Sequence, residues 1–187
     1  MPPPGCQGRG ADHLQHAVVR GPARAADAFA EPTRLTPAAP RVALRPAHPS
    51  TAAAVFTQNR FQAAPVLASK DQLRRLQGSG VSSVLVNSGC ANSCTGERGL
   101  ADAHRVLEQL KQEGLGESLI MSTGVIGPFL PMEKLFKGVS DAKAALSEEG
   151  WEAASKAIMT TDTVNKLAIT RHTLPSSKTA YGPHAQR

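Results

Sequence analysis

An α/β fold, of the α+β kind, is what this sequence predicts, and three observations carry that expectation. Short apolar runs alternate with amphipathic helical patterns from Thr51 to about residue 166. The Val-rich run Val81 to Asn87 (VSSVLVN), closed by turn residues at both ends, reads as a strand. A second apolar run, Leu119-Ile120-Met121, empties into Ser122-Thr123-Gly124 and then Gly127, ahead of a helix-starting Pro131.

Taken in order, Ala52 to Thr57 (AAAVFT) and Ala64 to Ser69 (APVLAS) are apolar runs suited to buried strands. Lys70 to Gln77 reads as a short helix, with Leu73 and Leu76 on one face and Arg74 and Arg75 outward, ended by Gly78-Ser79-Gly80. After the Val81 strand, residues 87 to 99 (NSGCANSCTGERG) are too polar and glycine-rich for a core element and predict a loop. A helix over Leu100 to Gln112 places Leu100, Ala103, Leu107 and Leu110 on one stripe, with Asp102, Arg105, Glu108 and Lys111 toward water. Gly114 and Gly116 stop it. The Leu119 strand and its glycine turn follow. Pro131 to Val139, Ser140 to Ser147 and Gly150 to Met159 give three short amphipathic helices, the last with Trp151, Ala154 and Ile158 on one face.

The ends differ from this body. Nine of the fourteen prolines lie in residues 1–50, among Ala and Arg, so that segment is expected to be irregular or disordered. Its arginines also suit an organelle transit peptide, although such peptides are richer in Ser and poorer in Pro. Residues 51–168 form the expected domain and 169–187 a polar tail. A wrong reading frame or a mis-spliced gene would produce ends of this composition beside an ordinary body.

Charge follows the same division. Of the net +6, residues 1–50 hold +3 and the last 21 residues hold +3, leaving 51–166 neutral with twelve bases and twelve acids. A neutral body has no basic stripe, and a whole chain with one Trp, one Tyr and five Phe has no stacking set for nucleic acid. Nor does any apolar run approach the roughly 18 residues of a membrane span, so a soluble protein is expected. Three cysteines, Cys6, Cys90 and Cys94, make neither a disulfide framework nor a four-ligand zinc pattern, so no metal is expected and a reducing compartment is.

Chemistry concentrates in three places. At Ser118 to Met132 (SLIMSTGVIGPFLPM) a glycine turn after a strand frees N–H groups that can donate to a developing negative charge, with the Thr123 hydroxyl a second donor. By itself such a turn is more often a plain connector, and as a phosphate cradle it lacks the Lys-Ser/Thr ending of a P-loop. Cys90 and Cys94 read as two small half-buried thiols ahead of metal or redox chemistry, and His104 as a packing residue ahead of a base. Met159-Thr160-Thr161-Asp162-Thr163 is either a helix exit or a ring of hydroxyl donors for a polar, amino-acid-sized ligand, with Lys166 nearby.

Four stretches in one order carry a resemblance: residues 55–69 (VFTQNRFQAAPVLAS), 86–99 (VNSGCANSCTGERG), 119–132 (LIMSTGVIGPFLPM) and 157–166 (AIMTTDTVNK). Over about residues 51–168 the chain resembles the ornithine acetyltransferase family of arginine biosynthesis, whose bifunctional members are glutamate N-acetyltransferases. The resemblance implies the α-chain portion of a layered sheet-and-helix fold, and acetyl transfer from N-acetylornithine to glutamate through an acetyl-enzyme. Acetyl-CoA is the donor in bifunctional members, as a co-substrate and not a resident cofactor. Family enzymes cut themselves into α and β chains that assemble as a heterotetramer, and the new N-terminal threonine of the β chain is the nucleophile. The family's oxyanion hole falls on Thr123 and Gly124, and its substrate-binding threonine, first of a TTD motif, on Thr160.

Departures are equally specific. Residues 1–50 show no counterpart of the family's glycine-rich start, and the likeness stops after Leu167-Ala168. Neither the lysine-glycine substrate stretch nor the glycine-proline-threonine cleavage site is present, so Thr170, Thr173 and Thr179 inherit no role. The leading expectation is an incomplete α-chain portion with half an active site, inactive and poorly soluble alone. The alternative is a non-catalytic module that binds an acetylated amino acid. A fungal source would imply the mitochondrial matrix, and otherwise the cytoplasm.

Overall fold

The computed structural model describes residues 49–147 and 149–168, together with the backbone of strands at 16–19, 23–26, 39–46, 172–173 and 180–181. In chain order the elements are β1 (His16–Val19), β2 (Ala23–Ala26), β3 (Ala39–Pro46), β4 (Ala52–Val55), α1 (Ala64–Arg75), β5 (Ser83–Cys90) and α2 (Gly96–Gln112). Then come β6 (Ser118–Val125), α3 (Met132–Ala144), α4 (Trp151–Ala157), β7 (His172–Thr173) and β8 (Ala180–Tyr181).

The main sheet has the order β2-β3-β5-β6. β3 runs antiparallel to β5, and β6 runs parallel to it, with α2 as the crossover. β5 is buried without interruption from Ser83 to Ser88 because both of its faces are covered. Leu85 faces a core of Ala64, Ala103, Val106, Leu110, Ile120 and Leu135, under α1, α2 and α3. Val84 and Val86 face the other way, into a core of Leu119, Ala154 and Ala157 under α4. The result is the α+β layering the alternation of elements predicts. Two small antiparallel pairs, β1 with β4 and β7 with β8, complete the chain. No helix of the described residues is long and apolar enough to cross a membrane.

Four element assignments change. Ala64 to Ser69 is helical, not a strand, and continues through Arg75 as α1. A six-residue apolar run has no period of its own. Pro65 in the first turn, where its missing N–H is not needed, is the signal that favours helix. α2 starts at Gly96, four residues before the apolar stripe. Gly99 in that first turn is required by packing, since a Cβ there would lie 1.9 Å from Thr95 Oγ1. The patterns at Pro131 and Ser140 fuse into one helix, α3, because Gly138 is buried in the packed face. There, packing outweighs the ~1 kcal/mol cost of a helical glycine. Finally, the sheet reaches back into the proline-rich segment: β3 pairs with β5, with a register shift between Pro40 and Val42 that accommodates a proline lacking an N–H.

Asp102 also departs from its expected place toward water. It is buried on α2 and paired with Arg105 at 3.2 Å. At the opposite end of the sheet from the glycine loops, Glu117 accepts hydrogen bonds from Gln72 (2.8 Å), Lys111 (3.3 Å) and Arg75, tying α1 and α2 to the start of β6. Glu113 likewise accepts from Ser140 (2.7 Å) and Lys143 (3.4 Å) on α3.

Partial burial pushes the Glu117 carboxyl up, but hydrogen bonds and charge from Arg75 and Lys111 outweigh it and hold the group below its ordinary value. Glu113 is lowered chiefly by the Ser140 hydrogen bond and then by Lys143. A depressed folded-state value means that the stabilisation is complete above the unfolded carboxylate value and is lost as pH falls through the folded one. Glu117→Gln is therefore expected to flatten the loss of stability on acidification below about pH 4.5. Denaturant midpoints measured across that range check it, and parallel curves for the two proteins would sink it.

Candidate active site

The candidate site lies at the carboxyl ends of the parallel strands β5 and β6, where sheets of this type present their ligands. Register places Asn87 beside Ser122, Ser88 beside Thr123, Gly89 beside Gly124 and Cys90 beside Val125. Ser122-Thr123-Gly124, expected in a turn, is the last part of the strand, and the chain leaves the sheet only after Val125. Gly89 and Gly124 both have left-handed φ, +99° and +131°. A Cβ on Gly124 would stand 2.4 Å from the Gly89 carbonyl carbon, so this close approach admits no side chain.

β6 is the outer strand of the sheet, and its backbone groups alternate between β5 and the open edge. Ile120 faces outward: its N–H donates to Ser69 Oγ (3.1 Å) and its carbonyl accepts from the same hydroxyl (2.8 Å), so α1 closes the edge there. Val125 faces inward, its carbonyl accepting from Ala91 N–H at 2.9 Å. Between those two fixed points the alternation turns the Gly124 N–H toward the open edge, away from β5.

Side-chain alternation decides what stands on each face. Leu119 and Met121 pack in the core under α4, and Thr123 continues that face. Ser88, in register with Thr123, continues the Val84 and Val86 face, and its hydroxyl donates to the carbonyl of Ala157, the last residue of α4, at 3.1 Å. Thr160 follows three residues later and is exposed. Its N–H points to Asp162 Oδ2 at 3.5 Å, and Asp162 also takes the Lys166 ammonium. Asn165 folds the stretch back on α4 by donating to Ser155 Oγ at 3.0 Å. Thr123 and the Thr160 stretch, 37 positions apart in sequence, are thereby carried on one face of the sheet.

The other face is held by Asn87. It accepts from Ser122 Oγ (2.6 Å) and donates to the Cys90 carbonyl (2.7 Å), fixing the two strand ends together. The two loops beyond are laced in the same way. Gly127 N–H donates to the Ser93 carbonyl at 3.0 Å and the Cys90 thiol to the Pro128 carbonyl at 3.2 Å. Asn92, buried with φ +47°, takes the Thr95 hydroxyl at 2.8 Å, donates to the Gly99 carbonyl at 3.0 Å, and accepts Ala64 N–H on its own carbonyl at 3.2 Å.

Asn87, Ser88 and Asn92 are the residues that sequence reasoning missed. Their small polar side chains, in a stretch that directly continues an apolar strand, are the signal that could have found them.

Burial pushes the Cys90 thiol up, with a backbone hydrogen bond from Asn92 opposing, so it stays protonated and serves as a packing group. Cys94 is exposed, and His104 stands exposed on α2, away from the packing role its position suggests. Among the described residues no three His, Cys, Asp or Glu gather as metal ligands. Val125, Ile126 and Phe129 form an exposed apolar lip beside the site, with the Arg98 guanidinium 3.8 Å over the Phe129 ring.

The sequence profile of the ArgJ family matches residues 39–182. It begins with β3 and runs past Ala168, so the likeness extends beyond both of the limits that the short motifs suggest. The chain is 50% identical over 133 residues to the mitochondrial arginine biosynthesis bifunctional protein ArgJ of Chaetomium globosum, covering 69% of this chain and 28% of that protein. It is 50% identical over 134 residues to the same protein of Aspergillus oryzae, covering 69% and 29%. It thus spans a little under a third of the length of these relatives.

Among solved structures, the Bacillus halodurans ArgJ protein superposes with a TM-score of 0.73 at 27% identity, over 90% of this chain and 92% of that one. The ornithine acetyltransferase of Mycobacterium tuberculosis, solved with ornithine, gives 0.63 at 31% identity, over 84% and 86%. A family profile spanning most of the chain, half-identical relatives and two superposable structures together establish that this chain belongs to the ArgJ family.

Proposed function

We propose that this chain is the α-chain portion of a glutamate N-acetyltransferase that moves the acetyl group of N-acetylornithine to glutamate, with acetyl-CoA as a second donor. In this reading Thr123 and the Gly124 N–H form the oxyanion hole and Thr160 contacts substrate. The observation that carries it is their joint placement: an N–H turned to the open edge of β6, beside a threonine on the face that α4 and the Thr160 stretch share. The bound ornithine of the Mycobacterium tuberculosis relative supports the substrate class. The names of the fungal relatives support a mitochondrial setting.

The division of labour follows from length. Solved chains match this one over 92% and 86% of themselves, whereas the curated relatives match over 28% and 29%. We infer that the nucleophile, a threonine hydroxyl, belongs to the portion that this chain does not span. The hydroxyl oxygen bonds to the acetyl carbon and the carbonyl electrons move onto oxygen, where the Thr123 and Gly124 donors stabilise them. The C–N bond then breaks, a proton passes to the departing ornithine amine, and the acetyl group rests on the threonine as an ester. The glutamate amine attacks that ester and frees the threonine. The exposed lip of Val125, Ile126 and Phe129 is the surface against which the second portion would pack.

Reconstitution tests the proposal. The 187-residue chain is expressed alone and together with the portion of the Chaetomium globosum relative that follows the matched segment, and acetyl transfer from N-acetylornithine to glutamate is measured. The expected result is transfer by the pair and none by the chain alone. Transfer by the chain alone would overturn the placement of the nucleophile. A folded pair that binds N-acetylornithine without turning it over would favour a binding module.

A further inference from the structure

The described residues leave one buried polar contact whose place in the fold exceeds a packing role. Ser88 is 3% exposed, stands in register with Thr123, and sends its hydroxyl to the last carbonyl of α4, a partner 69 positions away. Three residues after that carbonyl lies Thr160.

We propose that Ser88 is a positioning residue that sets the placement of the Thr160 stretch relative to Thr123, acting through the end of α4. This inference rests on the reading of Thr123 and Thr160 given above. Its physical basis is that α4 has only seven residues and that the last carbonyls of a helix lack intrahelical donors, so the Ala157 carbonyl takes its donor from outside the helix. Ala154 and Ala157, with Trp151 and Ile158 beside them, hold the helix to the sheet by apolar contact, which is non-directional. A directional hydrogen bond from a strand residue supplies the missing restraint. Asn165, through Ser155, fastens the far side of the same stretch to the same helix. Of these two contacts, the one from Ser88 refers the hydroxyl cluster to the strand pair that carries Thr123 and Gly124.

Two measurements decide the matter. In the 187-residue chain, Ser88→Ala is expected to raise amide hydrogen exchange at residues 159–163 by about tenfold while leaving 118–125 unchanged, since only the local opening equilibrium shifts. Ser88→Thr, which keeps the hydroxyl, is expected to restore protection, and Asn165→Ala to reproduce the loosening from the other end. In the reconstituted pair, Ser88→Ala is expected to raise KM for N-acetylornithine about tenfold and to change kcat by less than about threefold.

A merely structural role would lower the amount of folded protein without moving KM. Unchanged exchange at 159–163, or acceleration spread evenly over the sheet, would overturn the proposal, as would an unchanged KM in an active pair. If the unsubstituted pair transfers no acetyl group, the functional reading fails, and the exchange measurement still decides whether Ser88 positions the stretch.

Discussion

Thr123→Ala is expected to lower kcat of the reconstituted protein by about a hundredfold, on the order of 3 kcal/mol of transition-state stabilisation, with little change in KM. The hydroxyl acts on charge that appears only when the acetyl carbonyl becomes tetrahedral, so its removal costs little in the ground state. Thr123→Ser keeps the donor and should stay within about tenfold of the unsubstituted protein. The residue lies near the end of β6 on the face away from α1 to α3, so truncation there leaves the larger core intact. Steady-state kinetics with N-acetylornithine and glutamate check this. An unchanged kcat for Thr123→Ala would remove the hydroxyl from the oxyanion hole and leave the backbone donor alone.

Gly124→Ala should act before chemistry begins. The added methyl would meet the Gly89 backbone at 2.4 and 2.6 Å and Cys90 N at 2.7 Å, atoms that cannot rotate away. The φ of +131° is a second obstacle, because L side chains rarely adopt it. Together the clash and the strain cost on the order of 3 kcal/mol or more, which lowers Tm by about 10 °C in a chain of this size. Separation of the β5 and β6 ends would also pull the Asn87–Ser122 hydrogen bond apart. Thermal unfolding followed by circular dichroism reads the effect. A variant with unchanged Tm would mean that the strand ends part freely, and the site would then lack the rigidity that charge stabilisation needs.

The two substitutions separate roles that the sequence presents as a unit. Thr123 and Gly124 are adjacent in a motif, yet alternation gives them different work. The threonine side chain extends the α4 face, while the glycine permits two backbones to meet and leaves its N–H on the open edge. Loss of activity with retained stability at Thr123, and loss of stability at Gly124, is the pattern that this geometry dictates.

Local chemistry made much of this chain readable. β5, β6 and the helix over Leu100 to Gln112 have strong periods or β-branched runs bounded by glycine, and all three form, although β5 runs on to Cys90, β6 to Val125, and α2 begins at Gly96. Trp151, Ala154 and Ile158 share a buried face on α4 as their spacing requires. Errors arose where an apolar run was too short to carry a period, as at Ala64 to Ser69, or where prolines masked a strand, as at Ala39 to Pro46. They also arose where two adjacent patterns, Pro131 to Val139 and Ser140 to Ser147, form one continuous helix.

By itself, then, the sequence determined the class of fold, the family, and the two motifs in which Thr123, Gly124 and Thr160 stand, because periodicity and short motifs are properties of neighbours along the chain. Only the tertiary structure decided that Thr123 and Thr160 share a face, that the Gly124 N–H turns to an open edge, and that Ser88 links the two. Those relations depend on strand register and on which face a helix covers, and both are set by contacts between residues tens of positions apart.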